Sequence, residues 1–286
     1  MNFDDMSDRY TYKIPETEPN LEEVIQSNNG RREPVGENVI RFCKMADVTF
    51  LALHGGVGEN GKLQALLEMN GIKFTGSSSI GCMLSMDKII SKELVSQAAI
   101  PTANWLTNKD SIDDLKTLVP CFVKPSDNGS SVGVTKVVSD VELEEALAEA
   151  QKFSQSVLVE EQIVGREFSV GIIDGKALPP IEIIASGDFY NYQVKYQSGL
   201  AHEICPAHLD KRLTRKLQGY AEHAHRVLRL GSYSRIDFIM DDHGEFFFLE
   251  ANALPGMTPT SLLPQEAAAE GLSYTDLCLK LIELAK

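Results

Sequence analysis

Two carboxylates and an amide stand out in the stretch Arg235-Ile-Asp-Phe-Ile-Met-Asp-Asp-His-Gly-Glu-Phe-Phe-Phe-Leu-Glu-Ala-Asn252. Alternating runs flank Asp242-His243-Gly244-Glu245, the composition of a hairpin turn in which glycine supplies positive φ. A two-residue loop at His243-Gly244 sets Asp237 opposite Glu250 and Arg235 opposite Asn252. A four-residue loop slides the pairing but keeps the same face, because side chains alternate with period two. Like charges opposed across a ladder disfavour it, by about 4 kcal/mol for charges about 4 Å apart at an effective dielectric of about 20. A divalent cation would relieve that repulsion. Oxygen-only donors with one bridging carboxylate suit Mg2+, which takes few protein ligands together with waters and phosphate oxygens. A solvated acidic sheet face is the competing explanation, and the residues alone leave the two balanced.

A second constellation is Lys124-Pro-Ser-Asp-Asn-Gly-Ser-Ser-Val-Gly133. A lysine at a strand end, a Gly/Ser loop and a second strand resemble a phosphate cover, in which amides and hydroxyls wrap phosphoryl oxygens while the lysine supplies charge. No Gly-Lys-Ser/Thr follows, so it is not a Walker loop; an ordinary hairpin loop is the alternative. The loop Asn252-Ala-Leu-Pro-Gly-Met-Thr-Pro-Thr-Ser-Leu262 offers amides and Ser261 to a carboxylate, or simply joins a strand to a helix. Glu160, Glu161 and Glu167 can accept bonds from an exocyclic amine and ribose hydroxyls, or serve as surface charge. His54, ending a strand before a glycine turn, is a candidate ligand contact. His202, His208, His223, His225 and His243 show no metal spacing, and Trp105 reads as packing.

The elements that must carry these residues are mixed α and β. Val48–Leu53 and Ile72–Gly76 read as buried parallel strands around a helix marked by Leu63, Leu66 and Leu67. A helix is expected over 84–99, stopping before Pro101. Strands are expected at 121–124, 132–138, 157–160 and 167–173. Ser139 with Glu142 has the capping-box spacing for a helix to about Phe153. A helix over 210–230 should end at Gly231, and Ser273 with Asp276 should start the last one. Residues 1–38 are polar, broken by Pro15, Pro19 and Pro34, and hold no convincing buried strand.

Length and composition bound the answer. The 286 residues suggest two or three compact units. A net charge of −14 repels phosphate backbones, which argues against nucleic-acid and anionic-membrane partners. The five scattered cysteines form no C-x-x-C pair and read as reduced thiols. With no membrane-length apolar run and an acidic N-terminus unlike a signal peptide, a soluble, cytoplasmic protein is expected.

Taken in order, Ala52-Leu-His-Gly, Ser85-Met-Asp-Lys88, Lys124-Pro-Ser-x-x-Gly-Ser-Ser-Val-Gly, Gly165-x-Glu-Phe, Lys195-Tyr196, Arg235-Ile-Asp and Leu249-Glu-Ala-Asn-x-x-Pro-Gly-Met-Thr resemble the D-alanine–D-alanine ligases of the ATP-grasp superfamily, over about residues 39–286. The resemblance implies an α/β and α+β architecture: an ATP-grasp fold preceded by a Rossmann-like α/β lobe. The lobes would span 1–80, 81–162 and 163–286, the last carrying the metal and substrate site. The implied activity is ATP-dependent joining of two D-alanines through an acylphosphate, for peptidoglycan precursors. A ligase adding D-serine or another acceptor is the alternative among enzymes, and a Mg-ATP-binding remnant the alternative outside catalysis.

Carried over by position, Asp237, Glu250 and Asn252 would hold two Mg2+, with Glu250 bridging and Mn2+ as an alternative ion. Lys88, Lys124 and Lys195 would meet ATP phosphates; Glu160, Glu161, Ile163, Glu167 and Leu249 would line adenine and ribose. Arg235 and the Gly256 amide would stabilise an oxyanion, with Ser261 and Leu262 holding the second substrate's carboxylate. Ser130 and Tyr196 would lie near the first D-alanine, and His54 would touch substrate. A homodimer is implied as well. The family's opening strand and Gly-Gly-x-Ser-x-Glu loop find no match before Val48, so a missing N-terminal segment, and with it an exposed sheet edge, is expected.

Overall fold

The structure, a computed structural model, describes residues 19–36, 38–129, 131–185 and 201–285. The chain divides between Asp47 and Val48 into two compact units. The first holds two short helices, α1 (Leu21–Ser27), whose N-cap Asn20 accepts the amides of Glu22 and Glu23, and α2 (Val39–Cys43). Its described residues contain no strand, in keeping with their polar composition. Helix α1 escaped the sequence reading because its one buried side chain, Ile25, makes no apolar stripe.

The second unit opens with two segments in parallel, but the strands expected at 48–53 and 72–76 reduce to a single bridge, Thr49 opposite Phe74. The ladder stops because the Leu51 amide bonds the Thr75 hydroxyl, 3.0 Å away, instead of backbone. Beyond it Ala52 and Leu53 emerge to solvent. Helices α3 (Gly56–Glu59) and α4 (Lys62–Met69) follow. The single helix expected over 84–99 is two, α5 (Ser79–Met86) and α6 (Lys88–Gln97). Asp87 breaks them: with ψ at 107° it is extended, and its carboxylate accepts the amides of Ile89 and Ile90 as an N-cap. The break makes Lys88 the first residue of α6.

Next comes a four-stranded antiparallel sheet, ordered β1-β4-β2-β3, from β1 (Trp105–Thr107), β2 (Cys121–Pro125), β3 (Thr135–Val137) and β4 (Val157–Glu161). Helices α7 (Ile112–Lys116) and α8 (Leu143–Ala150) seal one face over Cys121, Val123, Val157 and Val159. Strand β3 is shorter than the expected 132–138, since the amides of Val132 and Val134 close turns onto Gly129 and Ser131. The expected capping box does not form. The Glu142 amide closes a 3-10 turn on the Ser139 carbonyl, so Ser139 makes no side-chain cap and the Glu142 carboxylate takes the Val138 amide instead.

The larger sheet runs β10-β9-β5-β7-β8, with β6 beside β5; its strands are β5 (Arg166–Ile173), β6 (Lys176–Ala177), β7 (Ile181–Ala185), β8 (Ala201–Ile204), β9 (Tyr233–Met240) and β10 (Phe246–Asn252). On one face Phe168, Val170, Ile236, Phe238, Phe246 and Phe248 pack against Leu217, Ala221 and Ala224 of α9 (Lys211–Val227). That helix ends four residues before Gly231. Arg229 takes the left-handed conformation (φ 54°), and its amide and that of Leu230 bond back to Arg226 and His225. Gly231 serves close packing instead: a Cβ there would lie 2.2 Å from the Gly76 carbonyl oxygen. Helices α10 (Leu262–Ala269) and α11 (Tyr274–Glu283) close the chain, with Ser273 capping α11 through the Asp276 amide as expected.

Candidate active site

The β9–β10 hairpin sets the centre of the site. Its loop is five residues, Asp241 to Glu245, with Gly244 at φ 80°. Beyond it Phe246 faces Met240 and Phe248 faces Phe238; then the ladder slips by one at Leu249, after which Glu250 faces Asp237 and Asn252 faces Arg235. Plain alternation outward from Phe246 would turn Glu250 into the core with Phe248. The extra residue, Leu249, returns it to the polar face.

On that face Asp237 is nearly buried and fully hydrogen-bonded. Its Oδ1 accepts from the Ser169 hydroxyl at 2.7 Å and from Arg235 Nε at 2.9 Å. Its Oδ2 accepts from Arg235 Nη2 at 2.8 Å and from Asn252 Nδ2 at 3.2 Å. Burial works against the charge of Arg235, but Asp237 and then Glu250 raise its pKa above the ordinary guanidinium value. Below it, Glu266 of α10 is fully buried and accepts the Gly171 amide at 2.9 Å; burial pushes its pKa up to about 8.

Two cavities meet here. One, of ≈ 590 Å³, has Lys88 and Lys124 on its wall, apolar sides including Phe122, Ile163, Ile184 and Leu249, and the chain from Glu160 through Glu167 along one edge. The other, of ≈ 620 Å³, is lined by His54, Arg235, Asn252, Gly256, Ser261 and Leu262. Glu167, Ile183, Asp237 and Glu250 line both. Every described residue expected at the site therefore borders one of these spaces. Ser130, Lys195 and Tyr196 lie outside the described residues.

Lys88 Nζ donates to the Asn128 carbonyl at 2.7 Å and stands 3.8 Å from Glu250 Oε2. Lys124 pairs with Glu160 Oε1, while Lys92, absent from the sequence reading, pairs with Glu160 Oε2 at 2.9 Å. Burial opposes the Glu160 charge, but the two ammonium groups hold its pKa down at about 2. The Glu161 carboxylate turns aside to the Asn104 amide, 3.0 Å away. His54 Nδ1 lies 3.1 Å from the Leu254 carbonyl and 3.1 Å from Glu59 Oε2; the bond to Glu59 raises its pKa despite burial. Glu59 also accepts the amides of Gly55 and Leu254, at 2.7 and 2.9 Å. Ser261 Oγ accepts the Thr258 amide at 3.1 Å, and a Cβ at Gly256 would fall 2.9 Å from that oxygen.

Three contributors went unread: Ser169, Glu59 and Lys92. Ser169 was legible in principle as a polar residue inside the otherwise apolar run of β5. Glu59 and Lys92 sit in helices with nothing local to separate them from surface charges.

The donors fit a divalent ion of the magnesium type. They are oxygens only, two carboxylates and, with its nitrogen given to Asp237, the amide oxygen of Asn252. Among the described residues no three His, Cys, Asp or Glu side chains converge into a metal cage. That sparse set suits an ion that keeps waters and phosphate oxygens in its shell.

Comparison with known proteins agrees. The model for the D-ala D-ala ligase C-terminus matches residues 94–283, and that for the D-ala D-ala ligase N-terminus matches residues 3–77. The chain belongs to the D-alanine–D-alanine ligase family. It is thus an enzyme of an ATP-dependent ligase family that uses ATP and a divalent metal. The N-terminal match reaches residue 3, whereas the motifs gave out near residue 39. The D-alanine–D-alanine ligase of Pediococcus pentosaceus is 43% identical over 270 residues, covering 93% of this chain and 76% of that protein. That of Geotalea uraniireducens is 41% identical, covering 84% and 78%. Among solved structures, the D-alanine–D-alanine ligase from Bacillus anthracis complexed with ATP superposes with TM-score 0.77 at 34% identity, covering 86% of this chain and 82% of that one. The VanG D-Ala:D-Ser ligase from Enterococcus faecalis gives TM-score 0.77 at 32% identity, covering 84% and 73%. No helix among the described residues is long and apolar enough to cross a membrane.

Proposed function

We propose that the chain joins two D-alanines at the expense of ATP. The γ-phosphoryl group passes to the carboxylate of the first D-alanine, releasing ADP; the amine of the second then attacks the acyl carbon, and phosphate leaves. One observation carries this reading: a cavity with lysines and apolar walls and a cavity with an arginine and hydroxyls share Asp237, Glu250 and Glu167. That is the geometry for handing a phosphoryl group from one bound molecule to another.

In the first cavity, Lys88 and Lys124 offset phosphate charge, and the chain along Glu160, Glu161, Ile163 and Glu167, with Leu249 across from it, holds the flat base and ribose. Asp237, Glu250 and Asn252 would hold two Mg2+, or Mn2+ in their place. The metal supplies charge neutralisation on the transferring group. In the second cavity Arg235 and the Gly256 amide face the oxyanion of the tetrahedral stage, Ser261 and Leu262 hold the acceptor carboxylate, and His54 borders the donor. Ser130, Lys195 and Tyr196 complete the set by family resemblance, as does pairing of two copies of the chain. Lobes over 1–80, 81–162 and 163–286 and a cytoplasmic setting are part of the same proposal.

ADP release measured with D-alanine, D-serine or D-lactate, with the product weighed by mass spectrometry, tests the reading. D-alanine-dependent ADP and a D-alanyl-D-alanine product are expected. Release with D-serine as the preferred acceptor would move the chain to the chemistry named for the VanG neighbour, and no acceptor-dependent release would refute ligation.

A further inference from the structure

Lys92 is fully buried and borders neither cavity, yet it shares the Glu160 carboxylate with Lys124, which does border the first. It is anchored on its far side as well: Nζ donates to Thr102 Oγ1 at 2.5 Å, and that hydroxyl donates to the Phe248 carbonyl at 2.9 Å. One carboxylate is balanced by one ammonium. The second ammonium, that of Lys124, is the one on the cavity wall, while burial works against the charge of Lys92 and Glu160 supports it. Glu160 is 2% exposed, so leaving it with no cation at all would strand an uncompensated charge in the interior.

We propose that Lys92 is a positioning residue, the resident counter-ion of Glu160, and that it allows Lys124 to leave Glu160 for a phosphate oxygen of the nucleotide. The proposal rests on the nucleotide reading of the first cavity. Without Lys92, Lys124 would be Glu160's only cation, and nucleotide binding would compete against that ion pair.

The test is titration of the full chain with a fluorescent ATP analogue and Mg2+, comparing wild type, Lys92→Met and the conservative variant Lys92→Arg. Lys92→Met should raise Kd by about tenfold to a hundredfold. Lys92→Arg, which keeps a cation beside Glu160, should hold Kd within about threefold of wild type. An unchanged Kd in Lys92→Met overturns the proposal, and so does a raised Kd that Lys92→Arg shares in full. Should Lys92→Met not fold, lysine Nζ resonances of the wild type decide. Mg-ATP should shift that of Lys124 and leave that of Lys92 in place; a shift of Lys92 without one of Lys124 overturns the idea. Absence of binding by the wild type refutes the nucleotide reading itself, a result distinct from every one of these.

Discussion

At the residue scale the site is held by opposed charge kept in order. Asp237 accepts hydrogen bonds from Arg235, Ser169 and Asn252, while across the ladder Lys88 Nζ stands 3.8 Å from Glu250 Oε2. Glu250 lines both cavities and is the carboxylate proposed to hold the metal beside Asp237. Glu250→Gln should lower D-alanine-dependent turnover by about a hundredfold or more, several kcal/mol of charge stabilisation. Steady-state kinetics against Mg2+ concentration reads that loss, and melting should stay close to wild type because the ladder itself is untouched. The identities of Asp237, Glu250, Asn252 and Arg235 were legible from sequence, since type and spacing alone suggested an oxygen-only site. Their partners were not. Ser169 lies 68 residues from Asp237 in the chain, and no local pattern joins them.

At the scale of elements, two helices and one hairpin decide where those residues point. The hairpin was read with the right facing pairs, but the loop is longer than two residues and a bulge at Leu249 makes up the difference. Alternation cannot reveal a bulge, because the slip depends on what the flanking faces bury. Likewise the break at Asp87 is a capping event that hydrophobic periodicity does not register. Helix α9 carries a testable liability of its own. His225 is buried against β9, its Nδ1 2.8 Å from Ser234 Oγ, and burial, with Arg226, lowers its pKa to about 4. The unfolded chain takes up a proton near pH 6.5, whereas the folded chain resists until about pH 4. Stability from this group is present at neutral pH and drains away as pH falls through that window, by up to about 3 kcal/mol. Urea unfolding between pH 7 and pH 4 should show the loss, and His225→Gln should flatten that part of the profile.

For the molecule from Val48 onward, the two sheets and their helices make two cavities that touch at one set of acids. A ligand that bridges both carboxylates and lysines binds the folded state alone. Mg-ATP at about a hundred times its Kd should therefore add about 2.7 kcal/mol. Thermal melts should move up with Mg-ATP, and return when EDTA removes the metal. The sequence by itself determined the family, the residue types at the centre and their shared sheet face, because chemistry is written in side-chain identity and period-two alternation. Only the tertiary structure decided that Lys92 and Lys124 share Glu160, that Glu59 braces His54 and that one bulge aims Glu250. Those contacts join distant parts of the chain, and burial, which sets what each is worth, exists only once the chain has folded.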